Sequence, residues 1–286
     1  MNLRTGKELC LAAQRRFEAA GIENSAGDAS MLFRHALWQV TGSQIRYHHM
    51  AGYLRNVAEP ELATVYEKLV AAREARQPVS QITGWRAFWN HDFRVTKDTL
   101  DPRPDTETLV EAALKLPWRN VLDLGTGTGA ILISLLAERS GATGLGVDIS
   151  GAALAVAREN AERIGVTAGF CRASWFDDVD GHFDLIVSNP PYIPADKMRG
   201  LQPEVRDWEP HLALTDSGDG LSAYRVIAAA APAYLTPGGW VLVEIGWQQG
   251  AAVTAIFTEA GGRVSVLADL NGQDRVIRAQ FGENPP

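Results

Sequence analysis

Asn189-Pro190-Pro191-Tyr192 follows directly on Phe183-Asp184-Leu185-Ile186-Val187-Ser188, an apolar run with the pattern of a buried strand. The tetrapeptide is therefore expected at the carboxyl end of a central strand, where open α/β sheets bind ligands. The Asn189 side-chain oxygen can accept one N–H of an NH2 group, and the Pro190 carbonyl, fixed by two successive rings, can accept the other. Two acceptors hold such a nitrogen in place. Tyr192 offers a flat face to a planar amide or base and keeps water from the centre.

A second constellation comes earlier in the chain. Val121-Leu122-Asp123-Leu124-Gly125-Thr126-Gly127-Thr128-Gly129-Ala130 reads as a strand, a glycine turn and a helix, with glycines where backbone must approach a ligand closely. The next strand ends in Gly146-Val147-Asp148-Ile149, and an acidic side chain there accepts hydrogen bonds from both hydroxyls of a ribose. Gly125-x-Gly127-x-x-Ala130 also satisfies the dinucleotide fingerprint, with Asp148 at a spacing that suits NAD, so the loop alone leaves two cofactor classes open. Asp123, two residues before the first glycine, and the tetrapeptide, for which hydride transfer has no use, separate them.

Asp-x-Gly-x-Gly-x-Gly, from Asp123 to Gly129, resembles the first motif of class I S-adenosylmethionine methyltransferases. The resemblance implies a cofactor site of Asp123, Gly125, Thr126, Gly127, Thr128 and Gly129 around the methionine portion, Asp148 on the ribose, Trp175 on the adenine and Asn189 at the reacting end, with S-adenosylhomocysteine as product. A sulfonium is already an activated methyl donor, which leaves the protein mainly to align nitrogen, methyl and sulfur. Positioning of that kind is worth about 7–11 kcal/mol. An amide nitrogen is a poor nucleophile because its lone pair is delocalised, so acceptors that pull density onto it as it gains positive charge act chiefly in the transition state. No nucleophilic residue and no metal is required. The six histidines show no paired-ligand spacing, and His48-His49 in a polar stretch is expected to be solvent-exposed.

An (Asn/Asp)-Pro-Pro-aromatic tetrad is shared by enzymes that methylate adenine N6, guanine N2 and glutamine N5, so it names a chemistry and leaves the substrate open. Leu100-Asp101-Pro102-Arg103-Pro104-Asp105-Thr106-Glu107-Thr108-Leu109-Val110, then the glycine loop, then Asn189 to Tyr192, resembles the peptide-chain-release-factor glutamine methyltransferases, the HemK/PrmC family. The likeness takes in Ile82-Thr83-Gly84 and Phe88-Trp89, and beyond the tetrad Glu209-Pro210, Ala213-Leu214 and Asp219-Gly220-Leu221. It implies methylation at N5 of the glutamine in the Gly-Gly-Gln loop of class-1 release factors, with Asn189, Pro190, Pro191 and Tyr192 binding substrate and a helical front domain gripping the partner. Two positions depart from the family pattern: Asp101 replaces an isoleucine, and Asp216-Ser217 replaces a Gly-Gly pair. A sister family acting on a ribosomal-protein glutamine shares most of the pattern and stays open, as do, further off, a nucleic-acid amino-methyltransferase and a non-catalytic binding protein.

The elements that must position these residues follow from periodicity. Ala29, Leu32, Phe33, Ala36, Leu37 and Val40 form a helical stripe behind Asn24 and Ser25, which can cap, and Leu62, Val65, Tyr66 and Leu69 form another after Pro60. Residues 1–76 therefore read as a helical substrate-recognition domain. Residues 77–100 read as a connector with a β-hairpin around Asn90, given Trp85, Phe88, Trp89, Phe93 and Val95. Residues 101–286 read as the catalytic domain, a doubly wound, Rossmann-like α/β fold. Its strands are expected at 120–124, 143–148, 167–171, 183–188, 239–246, 263–268 and 274–281, the last two as an antiparallel hairpin about Asn271-Gly272.

The 286 residues, 46% hydrophobic and 21% charged, suit a folded two-domain protein. A net charge of −7, divided as +2 over residues 1–76 and −9 over the remainder, argues against direct nucleic-acid binding. Two cysteines, Cys10 and Cys171, read as small core residues in a reducing compartment. No apolar run approaches membrane-spanning length, and the expectation is a cytoplasmic monomer.

Overall fold

The computed structural model describes residues 4–43 and 49–282. His48 lies outside the described residues, and His49 is exposed. The chain forms two compact units, Met1–Gly84 and Trp85–Pro286.

The first unit is helical: α1 (Gly6–Ala19), α2 (Ser25–Thr41), α3 (Met50–Arg55), α4 (Pro60–Glu74) and α5 (Val79–Thr83). A capping box starts α1, where the Thr5 hydroxyl accepts from the Glu8 amide and the Glu8 carboxylate accepts from the Thr5 amide. The predicted stripe of α2 is its buried face, with Leu32, Phe33 and Ala36 fully enclosed against Phe17 and Tyr66. Asn24 stands at the N-cap position of α2 but caps no amide; its side chain donates to Asp28 instead. Asp28 also carries the buried ion pair to Arg73 of α4 at 2.7 Å.

The segment 77–100 is divided between the units. Helix α5 packs on α2 and α4, whereas strands β1 (Trp85–Phe88) and β2 (His91–Arg94) form the hairpin of the second unit. The reason is burial: Phe88 and Phe93 sit in one apolar cluster with Leu109, Val110 and Ile131.

The second unit is built on a seven-stranded sheet in the order β5-β4-β3-β6-β7-β9-β8. Its strands are β3 (Asn120–Leu124), β4 (Thr143–Asp148), β5 (Gly169–Arg172), β6 (Phe183–Ser188), β7 (Leu235–Glu244), β8 (Arg263–Ala268) and β9 (Asp274–Gln280). The first five are parallel and β9 runs antiparallel between β7 and β8, as the Asn271-Gly272 turn requires. Strand β7 begins four residues earlier than expected, at Leu235, because that buried side chain already pairs with Phe183 before a register shift in β6. Strand β5 starts two residues later than expected, at Gly169, where pairing with Leu145 begins. The helices are α6 (Glu107–Leu114), α7 (Ala130–Glu138), α8 (Gly151–Ile164), α9 (Pro203–Trp208), α10 (His211–Leu214), α11 (Ser222–Tyr234) and α12 (Gly250–Glu259). One apolar cluster joins α6 and α7 to the sheet and another joins α11 and α12 to it, so the sheet is covered on both faces. Cys10 and Cys171 are half-buried against their units' cores, and both are free thiols. No helix among the described residues is long and apolar enough to cross a membrane.

Candidate active site

Strand β3 lies between β4 and β6: the chain steps from β3 to β4 and β5 on one side and then crosses over to β6 on the other, which opens a crevice at their carboxyl ends. Leu124 pairs with Val147 on one side and with Ser188 on the other. Those registers put Gly125 beside Asp148 and Asn189, the three residues that follow the paired positions. Two sets of hydrogen bonds lock the arrangement. The amides of Gly125 and Thr126 both donate to the Val147 carbonyl, at 2.8 and 2.9 Å, and the Ser188 hydroxyl donates to the Leu124 carbonyl at 2.7 Å.

The glycine loop is backbone held open. Gly125, Gly127 and Gly129 all have positive φ, between +55° and +79°, which any other residue adopts only with strain. A Cβ on Gly125 would meet nothing within 4 Å, so that backbone faces space, whereas one on Gly129 would press on Ile133 Cδ1 at 2.7 Å. The third glycine thus serves helix packing. Asp123 lies beneath the loop, fully buried, and its Oδ2 accepts from the Thr126 hydroxyl at 2.6 Å. Burial pushes its carboxyl up to about 7, against the pull of the Thr126 hydrogen bond. Asp123 and Gly129 do not line the cavity; the structure places them in the support of the loop.

Above the loop is a cavity of ≈ 500 Å³ lined by Gly125 to Thr128, Asp148, Ile149, Trp175, Asn189 and Pro191, among others. That volume falls within the range of small-molecule sites, about 300–1,000 Å³. Asp148 Oδ2 accepts from the Gly127 amide at 2.9 Å and Oδ1 from the Ser150 amide at 2.8 Å, which leaves each oxygen a further lone pair for a hydroxyl. Ile149, 55% exposed, and Trp175 supply apolar walls. Trp175 holds a φ of +53°, a backbone conformation uncommon for a bulky residue. Open glycine backbone, a carboxylate with spare acceptor capacity and two apolar walls fit a sulfonium nucleoside.

Asn189 reaches the cavity with one end of its amide tied back. Its Nδ2 donates to Thr106 Oγ1 at 3.3 Å, and the Thr106 hydroxyl donates to Glu244 Oε2 at 2.5 Å. Tyr192, expected to face the reacting group, stands behind the wall: it packs on the core, its hydroxyl lies 3.4 Å from Glu244 Oε1, and its carbonyl accepts from Gln249 Nε2 at 3.0 Å. Pro190 is buried, and of the four motif residues Asn189 and Pro191 line the cavity. Burial raises the Tyr192 phenol above its ordinary range, reinforced by Glu244. Burial likewise pushes Glu244 up to about 7, opposed by the Thr106 hydrogen bond and by the Arg275 guanidinium.

Thr106, Glu244 and Gln249 escaped the sequence reading. Thr106 lies in the Pro104-Asp105-Thr106-Glu107 run, and Glu244 ends the otherwise apolar Val241-Leu242-Val243, so a lone acid closing a buried strand was the available signal. The two departures from the family pattern border the cavity. Asp101 is buried on its wall. Asp216 accepts from the amides of Gly218, Gly220 and Ser222 and from the Ser222 hydroxyl, bonds that hold it down at about 2 despite partial burial. Next to Pro102 and Pro210 of the wall, Arg103 donates to both oxygens of buried Glu209 at 2.7 Å. Among the described residues, no group of three or more His, Cys, Asp or Glu is placed to hold a metal ion.

Residues 91–201 match the methyltransferase small domain family, and residues 8–84 match the PrmC N-terminal domain family. The release factor glutamine methyltransferase of Cereibacter sphaeroides is 54% identical over 273 residues, covering 94% of this chain and 96% of that protein. The protein of the same name from Rhodospirillum rubrum is 44% identical over 281 residues, covering 95% and 84%. Among solved structures, a methyltransferase from Pyrococcus furiosus superimposes with a TM-score of 0.53 at 17% identity, covering 76% of this chain and 98% of that one, which shows the shared fold. With identities of this size along nearly the whole length, the chain belongs to the release factor glutamine methyltransferases, enzymes that use S-adenosylmethionine.

Proposed function

We propose that this chain transfers a methyl group from S-adenosylmethionine to N5 of the glutamine in the Gly-Gly-Gln motif of class-1 release factors, and so modulates translation termination. The observation that carries the reading is the juxtaposition of Asn189 with the glycine loop at paired strand ends, Leu124 against Ser188. The names and identities of the relatives support the choice of protein substrate.

The bound cofactor supplies an electrophilic methyl group next to a positive sulfur. Gly125, Thr126, Gly127 and Thr128 hold its amino-acid portion against open backbone, and Asp148 accepts from its ribose. Trp175 and Ile149 would supply apolar walls for its base. Asn189 Oδ1, at the cavity, accepts from the substrate NH2 and would raise electron density on its nitrogen, with the Pro190 carbonyl the second acceptor read from the sequence. Pro191 shapes the wall beside them, and Tyr192 braces the corner from behind. Asp123 acts on the cofactor through the loop it anchors. The helical unit at the front, read from the sequence as residues 1–76, grips the protein partner. The enzyme works as a cytoplasmic monomer, in keeping with its two free thiols, and contacts no nucleic acid directly, in keeping with its net charge of −7.

The test uses labelled S-adenosylmethionine with release factor, ribosomal protein and RNA in separate reactions. Label is expected on the release factor, at the motif glutamine by mass spectrometry. Label confined to ribosomal protein or to RNA refutes the assignment, and cofactor binding without transfer to any of them points to a binding protein.

A further inference from the structure

An asparagine amide has two orientations of nearly equal shape, and only hydrogen bonding chooses between them. At the catalytic corner the choice matters, because Oδ1 facing the cavity accepts from an incoming NH2, whereas Nδ2 facing it sets donor against donor. This inference rests on the reading of Asn189 as that acceptor.

The partner that decides is Thr106, 3.3 Å from Asn189 Nδ2. A threonine hydroxyl has one proton, and here Glu244 Oε2, at 2.5 Å, takes it. An ionised carboxylate has no proton to give in return, so Thr106 has only a lone pair left for Asn189, and only the NH2 end of an amide answers a lone pair. Glu244 is 1% exposed and Thr106 4%, and Glu244 lies off the cavity, which leaves little room for water to take over the bond between them. The three residues come from separate places, a turn ahead of α6, the end of β6 and the end of β7, so the chain Glu244–Thr106–Asn189 is a product of the tertiary fold.

We propose that Thr106 and Glu244 are positioning residues for methyl transfer: the buried carboxylate claims the threonine proton, and the threonine oxygen then turns the Asn189 amide so that Oδ1 faces the substrate.

A double-mutant cycle on the full-length enzyme tests it, with kcat/KM for release factor, cofactor Kd and melting temperature measured for Thr106→Val, Thr106→Ser, Asn189→Ala and the Thr106→Val, Asn189→Ala pair. Thr106→Val is expected to lower kcat/KM by at least about tenfold with cofactor Kd within about twofold of wild type, and Thr106→Ser, which keeps the hydroxyl, to stay within about threefold. In the Asn189→Ala background the valine change is expected to add less than about a twofold loss, because nothing remains for it to orient. Equal losses from valine in both backgrounds, or equal losses from serine and valine, overturn the inference while leaving the role of Asn189 intact. Near-normal turnover of Asn189→Ala overturns both. Should Thr106→Val fail to fold, Thr106→Ala removes the hydroxyl without setting a methyl against the carboxylate and enters the same cycle.

Discussion

The two halves of the site are built by different means. The glycine loop is local: Asp123 holds Thr126 three residues away, and Asp148 holds Gly127 across twenty-one. Its working surface is backbone. The corner at Asn189 is assembled across the chain, with Asn189 and Thr106 83 positions apart and Thr106 and Glu244 138 apart. Its working surface is the direction of one side chain, which the proline pair alone does not set. A backbone site tolerates change in its supports as long as the turn forms; an oriented amide depends on each bond in the chain behind it.

The largest effect expected from this contrast is at the end of the chain. Asn189→Ala should reduce turnover by at least about 100-fold with cofactor affinity nearly unchanged, as for loss of a donor or acceptor used in a transition state. Turnover close to wild type would remove the corner from the chemistry.

Asp148→Ala should show the reverse split. Hydrogen bonds to a charged acceptor are worth about 1.5–3 kcal/mol each, so cofactor Kd, measured by calorimetry, should rise by at least about tenfold, with kcat at saturating cofactor little altered. An unchanged Kd would place the ribose elsewhere.

The third expectation concerns pH. Glu244 is raised to about 7 by burial, with Thr106, Arg275 and Tyr192 lowering it and Asp105 raising it, and the Tyr224 hydroxyl donates to the carbonyl of the same residue. Above its pKa the carboxylate accepts the Thr106 proton; below it, the carboxyl group can donate instead and release the Asn189 amide to turn. Turnover should therefore rise as pH increases through about 7, by about tenfold per unit on the acid side. In Glu244→Gln that limb should disappear even though Asp123 and Glu209, also raised to about 7, still titrate. A limb that survives the substitution belongs to another group.

The smallest effect is expected at Tyr192. Its hydroxyl is 3.4 Å from Glu244 Oε1, well beyond the ~2.7–2.8 Å of a strong O–H···O bond. Tyr192→Phe should lower kcat by less than about threefold. A loss comparable with that of Asn189→Ala would show that the phenol itself reaches the substrate.

The same contrast explains what the sequence disclosed. The strands, the Asn271-Gly272 hairpin and the positive-φ glycines depend on neighbours a few residues away, so periodicity and residue type sufficed. The meeting of Asp148, Gly125 and Asn189 was also readable, because strand ends in a doubly wound sheet fall at one edge. Facing was harder. Asp123 belongs to the motif, yet it points under the loop, and motif spacing cannot separate a residue that touches a ligand from one that holds the turn. Tyr192 was expected on the wall and is drawn behind it by Glu244 and Gln249, partners 52 and 57 residues away. Asn24 has the residue type of a helix cap, but its side chain donates to Asp28 and caps no amide. The hairpin reads as a linker by composition and belongs to the second unit because Phe88 and Phe93 are enclosed there.

Gln249 gives the corner an internal counterpart. Its side-chain NH2 donates to two carbonyl oxygens, those of Tyr192 and Gly220, at 3.0 and 3.2 Å, while its own oxygen accepts from the Gly246 amide at 2.9 Å. The enzyme thus carries a glutamine of its own, clasped through both amide hydrogens on the Tyr192 and Gly220 carbonyls and outside the cavity. Two accepted N–H bonds hold a carboxamide in place; methyl transfer needs in addition an in-line approach to its nitrogen, which holding alone does not supply.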